Sequence, residues 1–191
     1  MTEQFGEKYR GYASLVLDEN AAALRHIDPS QVEMLVNGIL DARKVFAVGV
    51  GRVMLSLQAF VKRLAHLGVD AHYVGEITEP AITPDDLLIV ASGSGESIFP
   101  KGITRKAKSL GARVIHIGSN AESGIKPYCD GMVRIPVRTK LALPDEIPSG
   151  QPMSSLFEQS LFLLGDIAAL AIIDKKGLDI SSLWEYHANL E

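Results

Sequence analysis

The chain has 191 residues, of which 47% are hydrophobic and 22% are charged, and its formal net charge is −4. This composition is typical of a soluble globular protein, and the acidic balance argues against nucleic acid or a membrane surface as a partner. The single cysteine, Cys129, excludes an internal disulfide and a cysteine-based zinc site, and it fits a reducing compartment. Because the first residues lack an apolar signal segment and the most apolar window, 161–173, is too short to span a bilayer, the sequence predicts a cytoplasmic protein.

Two helices are predicted before the first strand. The first covers roughly residues 5–26. The second begins with Asp28 as its N-cap and Pro29 at the first helical position, and Gln31 stands at the third position, as in a capping box. Apolar residues then recur at helical spacing up to Leu40, which predicts one buried face.

Apolar runs rich in β-branched residues alternate with helical patterns in the middle of the chain, which predicts βα units and a mainly parallel sheet. The helices between strands are expected to end at Gly68 and Gly111. We expect strands near residues 44–50, 70–75, 86–92, 112–118 and 131–136.

A poorly periodic loop, RTKLALPDEIPSGQ, follows the last strand, and a long helix is predicted over about 152–176. The middle of this helix is apolar almost all round, so its outer face should be covered by a second subunit or, alternatively, by the N-terminal helix. The predicted fold class is α/β, a three-layer α-β-α arrangement of flavodoxin-like type in a single domain. Its parts are N-terminal helices in 1–42, an α/β core in 43–137 and C-terminal helices in 151–191.

Ligands of an open parallel sheet bind at the carboxyl ends of its strands. Three segments are expected at this edge: Gly49-Val-Gly-Arg52, Gly75-Glu-Ile-Thr78 and Ser92-Gly-Ser-Gly-Glu-Ser97. In the last segment the glycines let the backbone approach a ligand, and the hydroxyls and the N–H groups of the next helix can hold phosphate oxygens. The pattern predicts a phosphate site; the alternative is a serine–glycine turn without a ligand.

Two other kinds of site are disfavoured by the sequence. The stretch GVGRVM begins as a dinucleotide fingerprint, but Met54 stands where the third glycine should be, although Glu76 could mimic the acid that binds ribose. The five histidines share no spacing typical of metal ligands. Neither a nicotinamide cofactor nor a metal site is therefore predicted.

The C-terminal third contains a polar patch at a predicted helix start, in which Ser154 and Ser155 precede Glu158 by four and three residues. Glu158 is either a solvated charge of the first turn or a positioned base. His187, in the terminal stretch WEYHANLE, is either an exposed histidine or a functional one.

Together these stretches resemble the sugar isomerase (SIS) domain family, in which SGSGE followed by Thr or Ser after the third strand is the phosphosugar signature. They are most similar to the members that interconvert a 3-hexulose 6-phosphate and fructose 6-phosphate. The resemblance implies proton transfer between C2 and C3 through a cis-enediol, without a metal or redox cofactor. The matching stretches, which cover almost the whole chain, are GVGR (49–52), RLAHLGVDAHYVGEITEPAI (63–82), DLLIVASGSGES (86–97), AKSLGARV (107–114), QPMSSLFEQ (151–159) and HANLE (187–191).

The resemblance also implies a role for individual residues. Glu158 is expected to be the base, His187 to carry the proton between the two oxygens, and Arg52 to stabilise negative charge. Because family members form dimers or tetramers, His187 is expected to reach the site of a neighbouring subunit. The phosphate is expected to be held by Ser92, Gly93, Ser94, Gly95 and Ser97, and the remaining pocket to be lined by Gly49, Gly51, Glu76, Thr78, Ser154 and Ser155.

One departure from the family pattern concerns the first glycine segment. The family typically reads G-x-G-R-S-G, whereas this chain has Val53 and Met54 in the last two places. Val53 removes a hydroxyl, which costs about 1 kcal/mol of substrate binding, and Met54 adds bulk that could reshape the pocket. Two further functions stay open, namely an aldose–ketose phosphosugar isomerase and a phosphosugar sensor without chemistry.

Overall fold

The computed structural model describes residues 2–190 and the side chains of residues 4–190. Five strands form one sheet, and every adjacent pair is parallel. All five lie inside the predicted ranges, so the α/β fold class is confirmed. The strands are β1 (Val45–Val48), β2 (Ala71–Tyr73), β3 (Leu87–Ala91), β4 (Arg113–Gly118) and β5 (Gly131–Arg134). The helices are α1 (Thr2–Arg25), α2 (Pro29–Asp41), α3 (Gly51–His66), α4 (Ile98–Ser109) and α5 (Ser155–Lys176), with short 3-10 helices at Lys126–Tyr128 and Ile180–Tyr186.

The order of the strands across the sheet is β2-β1-β3-β4-β5. After β2 the chain returns to the other side of β1, so the connections leaving β1 and β3 diverge from each other. This is the topological switch point at which flavodoxin-like sheets form a ligand crevice. The crevice therefore lies between the carboxyl ends of β1 and β3.

Side chains of alternate residues in the strands enter two separate cores. On one face, residues such as Val45, Ile89 and Ile117 pack against helices α2, α3 and α5. On the opposite face, residues such as Phe46 and Val90 pack mainly against α4 and the segment just after it. The two cores give the predicted three layers.

Helix α2 begins at the predicted residue, but only half of the predicted capping box is present. Asp28 accepts a hydrogen bond from the backbone N–H of Ser30 at 2.8 Å, as an N-cap should. Gln31 does not reach back to Asp28, because its side-chain oxygen accepts from the backbone N–H of Arg134 at 2.8 Å. Gln31 thus ties α2 to the last strand of the sheet.

Helix α5 packs on several elements at once, which explains its apolar composition. The backbone of Gly165 lies against the ring of Phe60 in α3, where an added Cβ would be 3.0 Å from the ring. Asn20 of α1 donates to Gln159 at 2.7 Å, so the N-terminal helix covers part of the outer face. Four large apolar residues of α5 stay exposed, namely Phe162, Leu163, Ile167 and Leu170.

By length and composition alone, α5 could cross a membrane, since it has 22 residues and a mean hydropathy of 1.8 in its most apolar window. The 13-residue window considered from the sequence underestimated this length. However, 56% of the window is buried inside the protein. We therefore describe α5 as a core helix.

Candidate active site

A cavity of about 700 Å³ lies at the predicted crevice. Four segments form it: the turn from β1 into α3, the turn from β3 into α4, a stretch after β5, and the start of α5. Its lining residues are Val50, Gly51, Arg52, Val53, Ala91, Ser92, Gly93, Ser94, Ser97, Arg138, Thr139, Lys140, Ala142, Gln151, Met153, Ser154, Phe157 and Glu158.

The segment Ser92–Ser97, which we call the serine loop, is ordered by its own hydrogen bonds. Ser92 Oγ accepts from the N–H of Gly95 at 3.1 Å, and Ser94 Oγ accepts from the N–H of Glu96 at 3.3 Å. Because Ser94 Oγ acts as an acceptor toward the backbone, its proton can still be donated to a ligand. Ser92 Oγ donates to Ser97 Oγ at 3.5 Å, a long contact that a phosphate oxygen can replace. No side chain caps the start of α4, where Ser97 is the N-cap, so the first N–H groups of this helix can bind an anion.

The carboxylate of the serine loop points away from the phosphate site. Glu96 accepts from the N–H of Gly124 at 2.5 Å and from Lys101 at 3.0 Å. The hydrogen bond from Gly124, followed by that from Lys101, lowers the pKa of Glu96. Glu96 thus fixes the loop from outside, and its charge is neutralised by Lys101 rather than facing a bound phosphate.

His116 supports the serine loop from below. The side chain is buried in β4, and its Nε2 lies 3.0 Å from the carbonyl oxygen of Ser92. Because a carbonyl can only accept, Nε2 must carry a proton in this contact. Burial lowers the pKa of His116, so the ring is neutral and acts as a core residue.

Gly95 cannot be replaced without moving its neighbours. Its φ is +66°, and an added Cβ would lie 2.3 Å from the Cβ of Ser123. Gly95→Ala should therefore weaken binding of inorganic phosphate at least ~10-fold and lower the free energy of unfolding by about 1 to 3 kcal/mol. Titration calorimetry and denaturant unfolding measure the two effects. The matched control is Gly102→Ala in α4, where an added Cβ meets nothing within 4 Å; unchanged phosphate affinity in Gly95→Ala would show that this loop conformation is not needed.

A buried carboxylate stands across the cavity from the serine loop. Glu158 in the first turn of α5 is 8% exposed, and its Oε1 accepts from Ser154 Oγ at 3.0 Å. Its Oε2 contacts Nε of Arg52, the second residue of α3, whose side chain is exposed. The adjacent Phe157 packs against Gly93, so the start of α5 and the serine loop touch directly. Glu158 and Arg52 are brought together as expected, and Ser154 holds the carboxylate.

Several residues predicted for the pocket lie beside it rather than in it. Gly49 and Gly95 shape the turns that carry the site, and Ser155 is the first residue of α5, but none of the three lines the cavity. Glu76 and Thr78 also lie outside, because β2 is the edge strand and is separated from β3 by β1. Glu76 instead contacts His72 at 2.5 Å.

His187 lies far from the cavity of its own chain. Its ring stacks on that of His66 at 5.2 Å and is 5.3 Å from that of Trp184. Arg52 is the second residue of α3 and His66 the last, so at 1.5 Å per residue they are separated by about 21 Å. Within one chain, His187 cannot reach the cavity in this arrangement.

The cavity wall between β5 and α5 was not predicted from the sequence. Arg138, Thr139, Lys140 and Ala142 line the cavity, although this loop has little periodicity. The non-glycine residues with positive φ in the described part of the chain are Ala142 and Met153, and both line the cavity. Backbone strain of this kind is common at functional sites.

The replacements at Val53 and Met54 have different consequences. Val53 lines the cavity, so an apolar side chain stands where the family typically has a hydroxyl. Met54 does not line the cavity and packs against the main core. The bulk of Met54 therefore lies outside the cavity lining, with its side chain packed on the core.

Glu19 of α1 holds the segment that leads into α5. Its carboxylate accepts from Ser149 Oγ at 2.6 Å, from the N–H of Gly150 at 2.6 Å and from Gln151 Nε2 at 3.0 Å. Burial raises the pKa of Glu19, but these three hydrogen bonds outweigh burial and lower it below its ordinary value. Because Gln151 lines the cavity, α1 helps to position the site.

This lowered pKa makes stability depend on pH. The carboxylate of Glu19 contributes to the free energy of unfolding above its unfolded pKa, and the contribution is lost as the pH falls through the folded pKa. Glu19→Gln should lower the free energy of unfolding at pH 7 by about 1 kcal/mol and flatten its decline between about pH 5 and pH 3. Denaturant unfolding over a pH series measures this, with Asp18→Asn, an exposed neighbour, as the control. Equal pH profiles for Glu19→Gln and the unchanged chain would contradict it.

The comparisons with known proteins assign this fold and cavity to a class, the sugar-phosphate isomerases with an SIS-type α/β fold. The chain is 38% identical over 180 residues to a 3-hexulose-6-phosphate isomerase of Bacillus subtilis, covering 94% of this chain and 97% of that one. It is 37% identical over 186 residues to a protein of the same name from Mycobacterium gastri, covering 97% and 93% of the two chains. By these similarities the chain belongs to the 3-hexulose-6-phosphate isomerase family.

A solved structure agrees with this assignment. A protein from Methanococcus jannaschii, whose crystal structure led to an inferred function of 3-hexulose-6-phosphate isomerase, superposes with a TM-score of 0.81 at 28% identity. The superposition covers 95% of this chain and 99% of that one. No protein-family model matches the chain.

Proposed function

We propose that this chain interconverts a 3-hexulose 6-phosphate and fructose 6-phosphate by moving a proton between C2 and C3. The observation that carries the proposal is that a buried carboxylate, Glu158, shares one cavity with the serine loop. The names of the two bacterial relatives support the choice of substrate. A base beside a phosphate anchor is what this isomerisation needs, because the phosphate itself does not react.

Binding begins at the phosphate. The hydroxyls of Ser92, Ser94 and Ser97 and the N–H groups at the start of α4 hold its oxygens. Binding energy from this remote group fixes the sugar carbons relative to Glu158, which makes the proton transfer effectively unimolecular. The phosphate thus positions the substrate, while the chemistry takes place at C2 and C3 of the sugar.

Glu158 collects and returns the carbon-bound proton. In fructose 6-phosphate the carboxylate takes the proton from C3, the electrons of that C–H bond form the C2=C3 double bond, and the C2 carbonyl oxygen gains negative charge. Return of the proton to C2, with formation of a carbonyl at C3, completes the isomerisation. The hydrogen bond from Ser154 keeps the carboxylate aimed, and base catalysis of this kind contributes roughly 10²–10⁴ in rate.

Arg52 stabilises the charge that develops on the substrate oxygens. Its contact with Glu158 uses Nε, and the terminal nitrogens of the guanidinium still carry N–H donors. These donors can meet an enediolate oxygen beside the base. The positive charge is in place before the reaction, so it need not be recruited when the enediolate forms.

A second group must move the proton between the two oxygens, and we assign this to His187 of a neighbouring subunit. The distance from His187 to its own cavity requires a homo-oligomer for this role. The exposed apolar residues of α5 give such an assembly a surface to bury. We also propose a cytoplasmic location, in keeping with the unpaired Cys129.

The test is to incubate the purified protein with fructose 6-phosphate in D₂O and follow the sugar protons by NMR. Loss of the C3 proton with appearance of a 3-ketose is the expected result. Exchange at C1 would overturn the choice of substrate and indicate aldose–ketose isomerisation. If neither proton exchanges although fructose 6-phosphate binds, the chain is a phosphosugar-binding protein and the proposal fails.

A further inference from the structure

The loop between β5 and α5 contains a rigid segment, residues 138–147, which we call the strap. Its anchor is Glu146, a carboxylate that is 9% exposed. Oε1 accepts from Ser119 Oγ at 3.0 Å and from Thr139 Oγ1 at 2.8 Å, while Oε2 accepts from the N–H groups of Thr139 and Leu143, each at 3.0 Å. These contacts to one buried carboxylate fix the course of the strap, and the single proton of Ser119 Oγ is shared with the carbonyl oxygen of Val137 at 2.8 Å.

The strap is also fixed against the serine loop. An added Cβ at Gly93 would lie 3.0 Å from the methyl group of Thr139, so the two backbones approach closely only because residue 93 is a glycine. Ser119, which donates to Glu146, also donates its backbone N–H to the carbonyl of Gly93 at 2.9 Å. Glu146, Thr139 and Ser119 therefore hold the strap in register with the phosphate site.

The residues on either side of the buried Thr139 are exposed cations that line the cavity, Arg138 and Lys140. This alternation is that of an extended segment. Within residues 4–190, neither side chain makes an ion pair within 4 Å. Lys140 lines the cavity directly after Thr139, whose methyl group lies against Gly93 of the serine loop. Of the two cations, it is Lys140 whose charge also contributes, after Gly124 and Lys101, to lowering the pKa of Glu96 on that loop.

The serine loop supplies only neutral donors to a phosphate dianion. Apart from Arg138 and Lys140, the cations around it are engaged, since Lys101 pairs with Glu96 and Arg52 with Glu158. We propose that Lys140 is the cation that binds the substrate phosphate opposite the serine loop, and that Glu146 is the residue that positions it. The inference rests on the proposed function only in taking the bound anion to be the phosphate of a sugar phosphate.

The test measures dissociation constants of inorganic phosphate and fructose 6-phosphate by titration calorimetry, and KM and kcat separately. Lys140→Gln should weaken both ligands at least ~10-fold and reduce the salt dependence of binding, while kcat at saturation changes less than about threefold. Lys140→Arg should restore most of the affinity. Lys126→Gln removes an exposed lysine paired with Glu122 and should change nothing.

Glu146→Gln separates positioning from a general structural role. The amide keeps one acceptor oxygen but offers donors to two of the four hydrogen bonds, so the strap should loosen and phosphate affinity should fall. If Glu146 acts through Lys140, the double variant should bind phosphate no more weakly than Lys140→Gln alone. Losses of affinity that add fully in the double variant would overturn the positioning role.

The outcomes distinguish this inference from the proposed function. An active enzyme whose Lys140→Gln variant binds phosphate normally overturns the role of Lys140 and leaves the isomerase intact. A chain that binds both ligands through Lys140 but exchanges no sugar proton supports the inference while the proposed isomerisation fails. If the unchanged chain binds neither inorganic phosphate nor fructose 6-phosphate, both proposals fall.

Discussion

Glu158→Gln lowers kcat at least ~10² and slows exchange of the C3 proton of fructose 6-phosphate with D₂O by a comparable factor. The amide has nearly the shape of the carboxylate but cannot accept a proton from carbon. Arg52 loses its partner, yet its side chain is 66% exposed, so water can solvate the charge and the fold should persist. Steady-state kinetics and NMR measure the effect, and thermal unfolding checks the fold.

The matched control for this variant is Glu76→Gln. Glu76 was also expected at the pocket, but it contacts His72 outside the cavity. Its replacement should leave kcat within about threefold, since it touches no group at the site. Near-normal turnover in Glu158→Gln would remove this carboxylate from the mechanism, and the phosphate site would then need another base.

His187→Asn lowers kcat by a similar factor. Mixing this variant with Glu158→Gln should restore part of the activity. The histidine of one subunit is proposed to serve the cavity of another, so a subunit with an intact Glu158 and one with an intact His187 together form a complete site. Random reassembly of His187→Asn with Glu158→Gln should restore about a quarter of the activity of the unchanged protein. Activity measured before and after joint refolding tests this.

Two results would contradict the shared site. If the mixture stays inactive while each variant is folded, His187 does not complete a neighbour's cavity. If His187→Asn alone is fully active, the ring has no role in catalysis, and its stacking on His66 and its contact with Trp184 are structural. Ending the chain before His187 should mimic the substitution, because the preceding 3-10 helix and its contact with α3 remain.

The sheet and the serine loop were readable from the sequence because their signals are local. Runs of β-branched residues define the strands, and glycines and serines at the end of β3 define a turn that suits phosphate. The position of β2 at the edge is not local information, and for that reason Glu76 and Thr78 were assigned to the pocket. Strand order depends on which helices cover each face of the sheet, so the sequence of β2 alone does not indicate that β2 lies at the edge.

The strap could not be predicted because its order comes from a tertiary contact. Glu146 reads as an ordinary loop carboxylate between two prolines, and its burial depends on Ser119, 27 residues earlier in the chain, as well as on Thr139 within the strap. The same holds for Gln31, whose local spacing suggested a capping box but whose partner is Arg134 in β5. The local sequence indicates which hydrogen-bond partners such side chains could have, and tertiary packing determines which partner they contact.

The contact between Arg52 and Glu158 joins residues that are 106 positions apart, and the cavity exists only once that distance in sequence has been closed. In partly folded chains this contact is not yet formed, and a sugar phosphate therefore has no site to bind. A sugar phosphate should consequently slow unfolding by stabilising the native state without accelerating folding. In a cell, the concentration of the substrate would then set how long each finished molecule survives, but not how quickly a new one is made.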